Sequence, residues 1–189
     1  MRKRLATVAV SGGIALALAA PAALAAAADE PLATSADGHA VDPSELSTEQ
    51  IAALTGEPQA TGGEVSATEA GLIDPSGTQP MTRAKTRYRK AEFKRGGRLM
   101  WTRDTVYFGF NGGKVTSSKG WQANGNIFPN IAKNKGITRY HATGATHKWL
   151  AKNTIGAGIP TPWGSVKAYS KDYMHYFTGS KSGAWKWKG

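Results

Sequence analysis

The chain has 189 residues, enough for one ordinary domain with extensions. It contains no cysteine, which excludes a disulfide framework, a thiolate zinc site and a thiol nucleophile. Its formal charge of +11 hides a strong segregation: residues 29–82 hold ten acids and no Lys or Arg, while residues 83–189 hold 21 Lys and Arg and only Glu92, Asp104 and Asp172 as acids. Three carboxylates leave little from which to build a general acid–base pair or a hard-cation site, so no enzymatic activity and no cofactor are expected.

Residues 1–28 read as a secretory signal peptide. Arg2-Lys3-Arg4 precedes an uncharged, alanine-rich run from Leu5 to Ala28, with Ala26 and Ala28 placed for A-x-A cleavage. The alternative is an uncleaved anchor, but Gly12-Gly13, Pro21 and the weakly apolar alanines make a poor permanent span. The expectation is a secreted, extracellular protein with no stable membrane span in its mature form.

Residues 29–82 are rich in Ala, Gly, Ser, Thr, Pro and acid and hold no aromatic residue, which predicts a largely disordered acidic segment. One stretch differs. Asp42-Pro43 and Gly56 bracket Leu46, Ile51 and Leu54 as the start, stop and apolar face of a short helix. That helix is too short to persist alone and needs the body or a partner to dock on. The segment reads either as a mask for a cationic surface or as a solvated spacer.

Residues 83–98 form a basic linker or docking arm with eight Lys or Arg in sixteen positions. Arg83, Lys85, Arg87 and Arg89 are spaced by two and share one side of an extended chain, followed by Lys90, Lys94 and Arg95. Three readings stay open: a proteolytic processing site, an arm lying in an acidic groove of a partner, and a solvated linker.

From residue 99 to 189, short aromatic and β-branched runs punctuated by Gly, Asn and Pro predict an all-β domain, a small antiparallel β-sandwich or partly open barrel of about six strands. The clearest hairpin joins Thr105–Phe110 to Lys114–Ser118 through Asn111-Gly112-Gly113. Residues 121–136 read as a long connection, and a second hairpin joins Ile137–Ala142 to Ala145–Lys152 through Thr143-Gly144. The prolines of Ile155–Gly164 argue for a loop, followed by strands at Val166–Tyr169, Tyr173–Phe177 and Ala184–Trp187.

His141, His147 and His175 are the catalytic-type groups of this domain. Three imidazoles can bind zinc, but no His-x-His or Glu-x-x-His spacing occurs, so no metal site is expected. A Ser-His-Asp triad through Asp104 or Asp172 lacks a nucleophile elbow, and no phosphate-binding glycine loop is present. Cations interleaved with Trp suit polyanions. For an exported protein those are wall and lipid phosphates rather than nucleic acid, and an extracellular protein is the other candidate partner. In Trp185-Lys186-Trp187-Lys188 the indoles lie on one face and the ammonium groups on the other, serving either core packing or surface contact.

The stretch Tyr140-His141-Ala142-Thr143-Gly144-Ala145-Thr146-His147 resembles the lactococcin 972 family of secreted bacteriocins. Trp163 and the cluster Tyr173, Tyr176 and Phe177 are similar to that family's later Trp and aromatic C-terminal end. The likeness covers at most about 40 residues, at the level of spacing. It implies a cysteine-free β-sandwich with a non-enzymatic antibacterial role, while the acidic segment, the basic strip, the long connection over residues 121–136 and the Trp185 strand depart from the family. Three functional expectations follow. The first is a bacteriocin-like binder acting through a cationic, aromatic surface that includes Tyr140, His141, His147, Trp185 and Trp187. The second is an adaptor in an extracellular toxin assembly, docked through residues 83–98, and the third an inhibitor of trypsin-like proteases.

Overall fold

The computed structural model describes residues 34–35, 42–72, 85–160, 162 and 166–189. The leader reading, Arg83 and Trp163 lie outside them. The described residues belong to one compact unit and form an all-β sandwich of two antiparallel sheets. One sheet has the order β2-β3-β4-β5, formed by Gln59–Val65, Arg87–Gly96, Met100–Phe110 and Val115–Asn126. The other has the order β1-β8-β7-β6, formed by Thr34–Ser35, Val166–Ser180, Thr146–Pro160 and Ile131–Ala142, with β9 (Trp185–Lys188) added to the far half of β8.

Alternation of burial shows why these segments are strands. In β4, Thr102, Asp104, Val106, Phe108 and Phe110 turn inward, while Trp101, Arg103 and Tyr107 turn outward. The β4–β5 hairpin is the one its sequence predicts. Phe110 faces Val115, Gly112 takes a φ of 81°, and Asn111 Oδ1 accepts from the backbone N–H groups of Gly113 and Lys114 at 3.1 and 2.9 Å. The β6–β7 hairpin also turns where expected, with Ala142 opposite His147 and Thr143 Oγ1 accepting from Thr146 N.

Four differences from the sequence reading have physical causes. Residues 121–136 are mostly strand: β5 runs to Asn126 and β6 begins at Ile131. Gly125, read as a turn signal, is a place where a ring packs, since a Cβ there would lie 2.7 Å from the Trp101 indole nitrogen. Ile155–Pro160 is not a loop but the end of β7, paired with β8 throughout and with β6 as far as Gly156, with Pro160 at its last pair opposite Val166. The two strands expected between Val166 and Phe177 are one, β8.

The fourth difference concerns where the folded part begins. The sequence reading starts it at Leu99, yet Arg87–Gly96 is a strand paired along its length with β4, and Gln59–Val65 pairs with its other edge. Ala91, Phe93 and Arg95 are buried from this basic strand, its remaining charges lying along the opposite side or at the open end. Acidic residues ahead of it are folded too. Pro43–Glu45 forms a single 3-10 turn and Thr48–Thr55 forms α1, capped by Ser47, whose hydroxyl accepts from Gln50 N while Gln50 Oε1 accepts from Ser47 N. The sequence placed the cap at Asp42, whose carboxylate instead holds Ser44. A short helix, α2 (Ala67–Ala70), follows β2.

Two apolar clusters fill the sandwich. Val106, Phe108, Phe110, Trp149 and Phe177 pack with Ala91 at one end. Met100, Ala132, Ile155, Ala157 and Tyr169 occupy the other, and Leu46, Ala53 and Leu54 of the α1 strap close it. Eight helical residues gain their stability from this docking. The strap is also tied by polar bonds: Gln50 Nε2 donates to Asn130 Oδ1 at 2.8 Å and Gly158 O at 3.0 Å, Tyr173 Oη to Leu54 O at 2.6 Å, and Tyr169 Oη to Glu45.

Two truncations test this account. Phe108→Ala, at a fully buried position, should cost about 3–5 kcal/mol, and Leu54→Ala about 2–5 kcal/mol, in urea unfolding. An unchanged midpoint for Leu54→Ala would show that the strap is not part of the cooperative fold.

Candidate functional site

Between the apolar clusters lies a buried polar layer. Asp104 from β4, Asn153 from β7 and His175 from β8 are each fully excluded from solvent. Asp104 Oδ2 lies 2.5 Å from His175 Nδ1 and accepts from Asn153 Nδ2 at 2.8 Å, while Oδ1 accepts from Gln122 Nε2 of β5 at 2.8 Å. Arg95 Nε donates to His175 Nε2 at 3.4 Å. These bonds make His175 a ring that donates from Nδ1 and accepts at Nε2. Burial lowers the Arg95 pKa against the opposing pull of Tyr173 and Glu57. Its guanidinium stacks 4.2 Å from the Tyr173 ring centre, and burial raises that phenol's pKa.

The Asp104–His175 pair is the acid–imidazole couple a triad requires, but among the described residues no hydroxyl bonds the ring. Phe93 closes it edge-on at 4.7 Å and Gly189 lies against it. The pair is enclosed and excluded from solvent, and it links β4 of one sheet to β8 of the other. A second imidazole, His147, is also inside. Its Nδ1 lies 2.7 Å from Ser118 Oγ, which accepts from Trp149 Nε1 at 3.1 Å. The hydroxyl can accept from the indole while its own O–H meets the ring nitrogen, and no carboxylate among the described residues bonds that ring. Burial lowers the His147 pKa, helped by Arg139 and His141. Among the described residues no three His, Asp or Glu side chains come together as a metal site, and no helix is long and apolar enough to cross a membrane.

The basic strip is divided between the two faces of β3. On the inner side, Arg87 and Arg89 close the open end over the Phe110 ring, at 4.9 and 5.5 Å. Both approach Glu64, and Arg89 also donates to Gly183 O at 2.7 Å. Arg95 is interior. On the outer side, Lys90 pairs with Glu92 at 3.3 Å and Lys94 lies 5.9 Å from the Trp101 ring centre. Lys85 is exposed just before the strand. A free arm over residues 87–96 is therefore not available, because both strand edges are paired.

The other predicted contact residues also separate. Tyr140 and His141 face solvent on β6, Tyr140 with 54% of its surface exposed. Trp185 and Trp187 turn inward: Trp187 stacks on Phe93 at 5.4 Å and tilts against Phe177 at 5.1 Å, leaving Lys186 and Lys188 outside. The alternation was legible, and core packing is the side the indoles take.

Sequence reasoning missed the outer face of the β2–β5 sheet. Register places Trp101 opposite Gly125, Arg103 opposite Ala123, Thr105 opposite Trp121 and Tyr107 opposite Lys119 on the outer face, where the Thr105 side chain itself is buried. Lys94, Glu92 and Lys90 of β3 extend the same rows. Arg103 Cζ lies 5.3 Å from the Trp101 ring centre and its guanidinium 3.8 Å from Glu92, while Trp121 is half exposed. Period-two spacing of Trp101, Arg103 and Tyr107 was the available signal. The outer face of the second sheet is also cationic, with Lys148, Lys152, Lys186 and Lys188 beside Tyr176 and Met174.

No protein-family model, curated protein or solved structure matches the chain.

The lowered His147 pKa has a defined consequence for pH. The fold favours the neutral ring, so its contribution is complete above the unfolded-state value of about 6.5 and declines as pH falls below it, because the unfolded chain takes the proton first. His147→Gln should show a shallower fall in Tm between about pH 7 and pH 5 than the parent; superimposable profiles would contradict this.

Proposed function

We propose that the protein is a secreted, non-catalytic, bacteriocin-like binder that contributes to antagonism of other bacteria by holding an anionic component of their surface. The observation that carries this reading is the distribution of charge. Lysines and arginines lie beside aromatic rings on the outer faces of both sheets, while the two acid–base arrangements that could suggest catalysis are enclosed. A cationic, ring-bearing surface attracts polyanions at long range and adds short-range contact through its indoles. The reading also draws on the resemblance of the stretch Tyr140 to His147 to lactococcin 972 and on the leader-like residues 1–28.

The adaptor alternative has less chain to use than its sequence promised. Of residues 83–98, those from Arg87 to Gly96 are committed to the sheet, so docking in a partner's groove falls to the residues before Arg87.

Fluorescently labelled mature protein should bind intact Gram-positive cells. That binding should fall by about tenfold between low and physiological-to-high salt, because exposed charges are screened over about 8–10 Å. Retention by a single protein in a stoichiometric complex, with salt-independent or absent cell binding, would favour the adaptor. Saturation of trypsin inhibition at equimolar protein would favour the inhibitor.

A further inference from the structure

We infer that the outer face of the β2–β5 sheet is a binding site for an anionic polysaccharide, seated across Trp101, Arg103, Ala123 and Trp121. This rests on the reading that the protein holds an anionic surface polymer, and it names the site and the ligand class.

The face is a grid of rows set by register. Trp101 and Gly125 make one row; Lys94, Arg103 and Ala123 the next; Glu92, Thr105 and Trp121 a third; Lys90, Tyr107 and Lys119 a fourth. Consecutive rows lie about 7 Å apart, two residues along a strand. Indoles therefore occupy rows one and three, and cations rows two and four, with Tyr107 among the latter. A polymer that alternates pyranose rings with carboxylate or phosphate groups has the complementary order: apolar ring faces stack on indoles and anions meet the cations between them.

The surroundings make the second row the centre of the site. Ala123 leaves space beside Arg103, and Trp101 is laid down across Gly125, where any side chain would strike the indole. Among the described residues the face has one carboxylate, Glu92, held by Lys90 at 3.3 Å, Arg103 at 3.8 Å and Thr105 Oγ1 at 3.4 Å, and the four cations of rows two and four outweigh it. The neighbouring strand adds Gln59, Thr61 and Gly63, which leave the face shallow and polar. An acidic protein partner would bring a large apolar centre to its interface, and outside the aromatic rings this face offers no matching aliphatic surface beyond Val65.

The test is binding of the mature protein to three polyanions: polygalacturonate, which carries rings and charge; polyphosphate, which carries charge alone; and oligo-dT. The variants are Trp121→Ala and Arg103→Gln, with Lys181→Gln in the exposed turn between β8 and β9 as a control of matched charge, and thermal melts verify that each is folded. Polygalacturonate binding should weaken about tenfold in Trp121→Ala and in Arg103→Gln and change less than twofold in Lys181→Gln, while polyphosphate binding should not respond to Trp121→Ala. Equal loss in Lys181→Gln, or none in Trp121→Ala, would overturn the site. Tighter binding of oligo-dT through the same residues would overturn the ligand class. The same proteins applied to cells separate this inference from the reading beneath it: cell binding that ignores both variants refutes the site alone, and polygalacturonate binding without any cell binding refutes the broader reading alone.

Discussion

The buried carboxylate of Asp104 is the constraint on which the rest of the sandwich depends. It sits between two apolar clusters, excluded from solvent, and a lone carboxylate there would carry a desolvation penalty of several kcal/mol. The surrounding strands answer that penalty by delivering donors: Gln122 and Asn153 through their amides, and His175 through Nδ1. Because those donors come from β5, β7 and β8, only one alignment of the two sheets satisfies them together. Arg95 adds the next link, reaching His175 on one side and Gly56 O at the end of the strap on the other. The layer thus fixes sheet against sheet and strap against sandwich, which apolar packing alone specifies less sharply.

The legible and illegible parts of the sequence divide along a physical line. Hairpins were legible because Asn111-Gly112 and Thr143-Gly144 stand between runs of period two, and both the turn chemistry and the alternation are local properties. The strap was half legible, since Leu46, Ile51 and Leu54 mark an apolar side, but its seat on Met100 and Tyr169 lies far away in the chain. Gly125 of β5 misled because a glycine that admits a ring from the neighbouring strand and a glycine that turns the chain look the same in one dimension.

The basic strip misled for another reason. Eight cations in sixteen residues resemble a solvated linker, yet alternation lets a strand bury Ala91 and Phe93 while its charged stems pass to the surface or the open end. Of the candidate site, the cationic and aromatic character was readable from composition. Its location was not: Trp185 and Trp187, the most conspicuous alternating pair, were drawn into the core, and Trp101 and Trp121, separated by a whole hairpin, were brought onto one open face by register. The pairing of Asp104 with His175, 71 residues apart, is long-range in the same way.

The pairing of β2 with β3 changes what cutting the chain between them would do. Seven residues of β2, from Gln59 to Val65, are matched to Lys94 through Tyr88, and the strap ahead of them is anchored in the lower core. A protease acting on the basic residues that precede β3 would therefore not liberate a cationic body from an acidic companion. It would leave a nicked heterodimer, one polypeptide contributing an edge strand and a helical clasp to the other, separable only when the sandwich itself is unfolded.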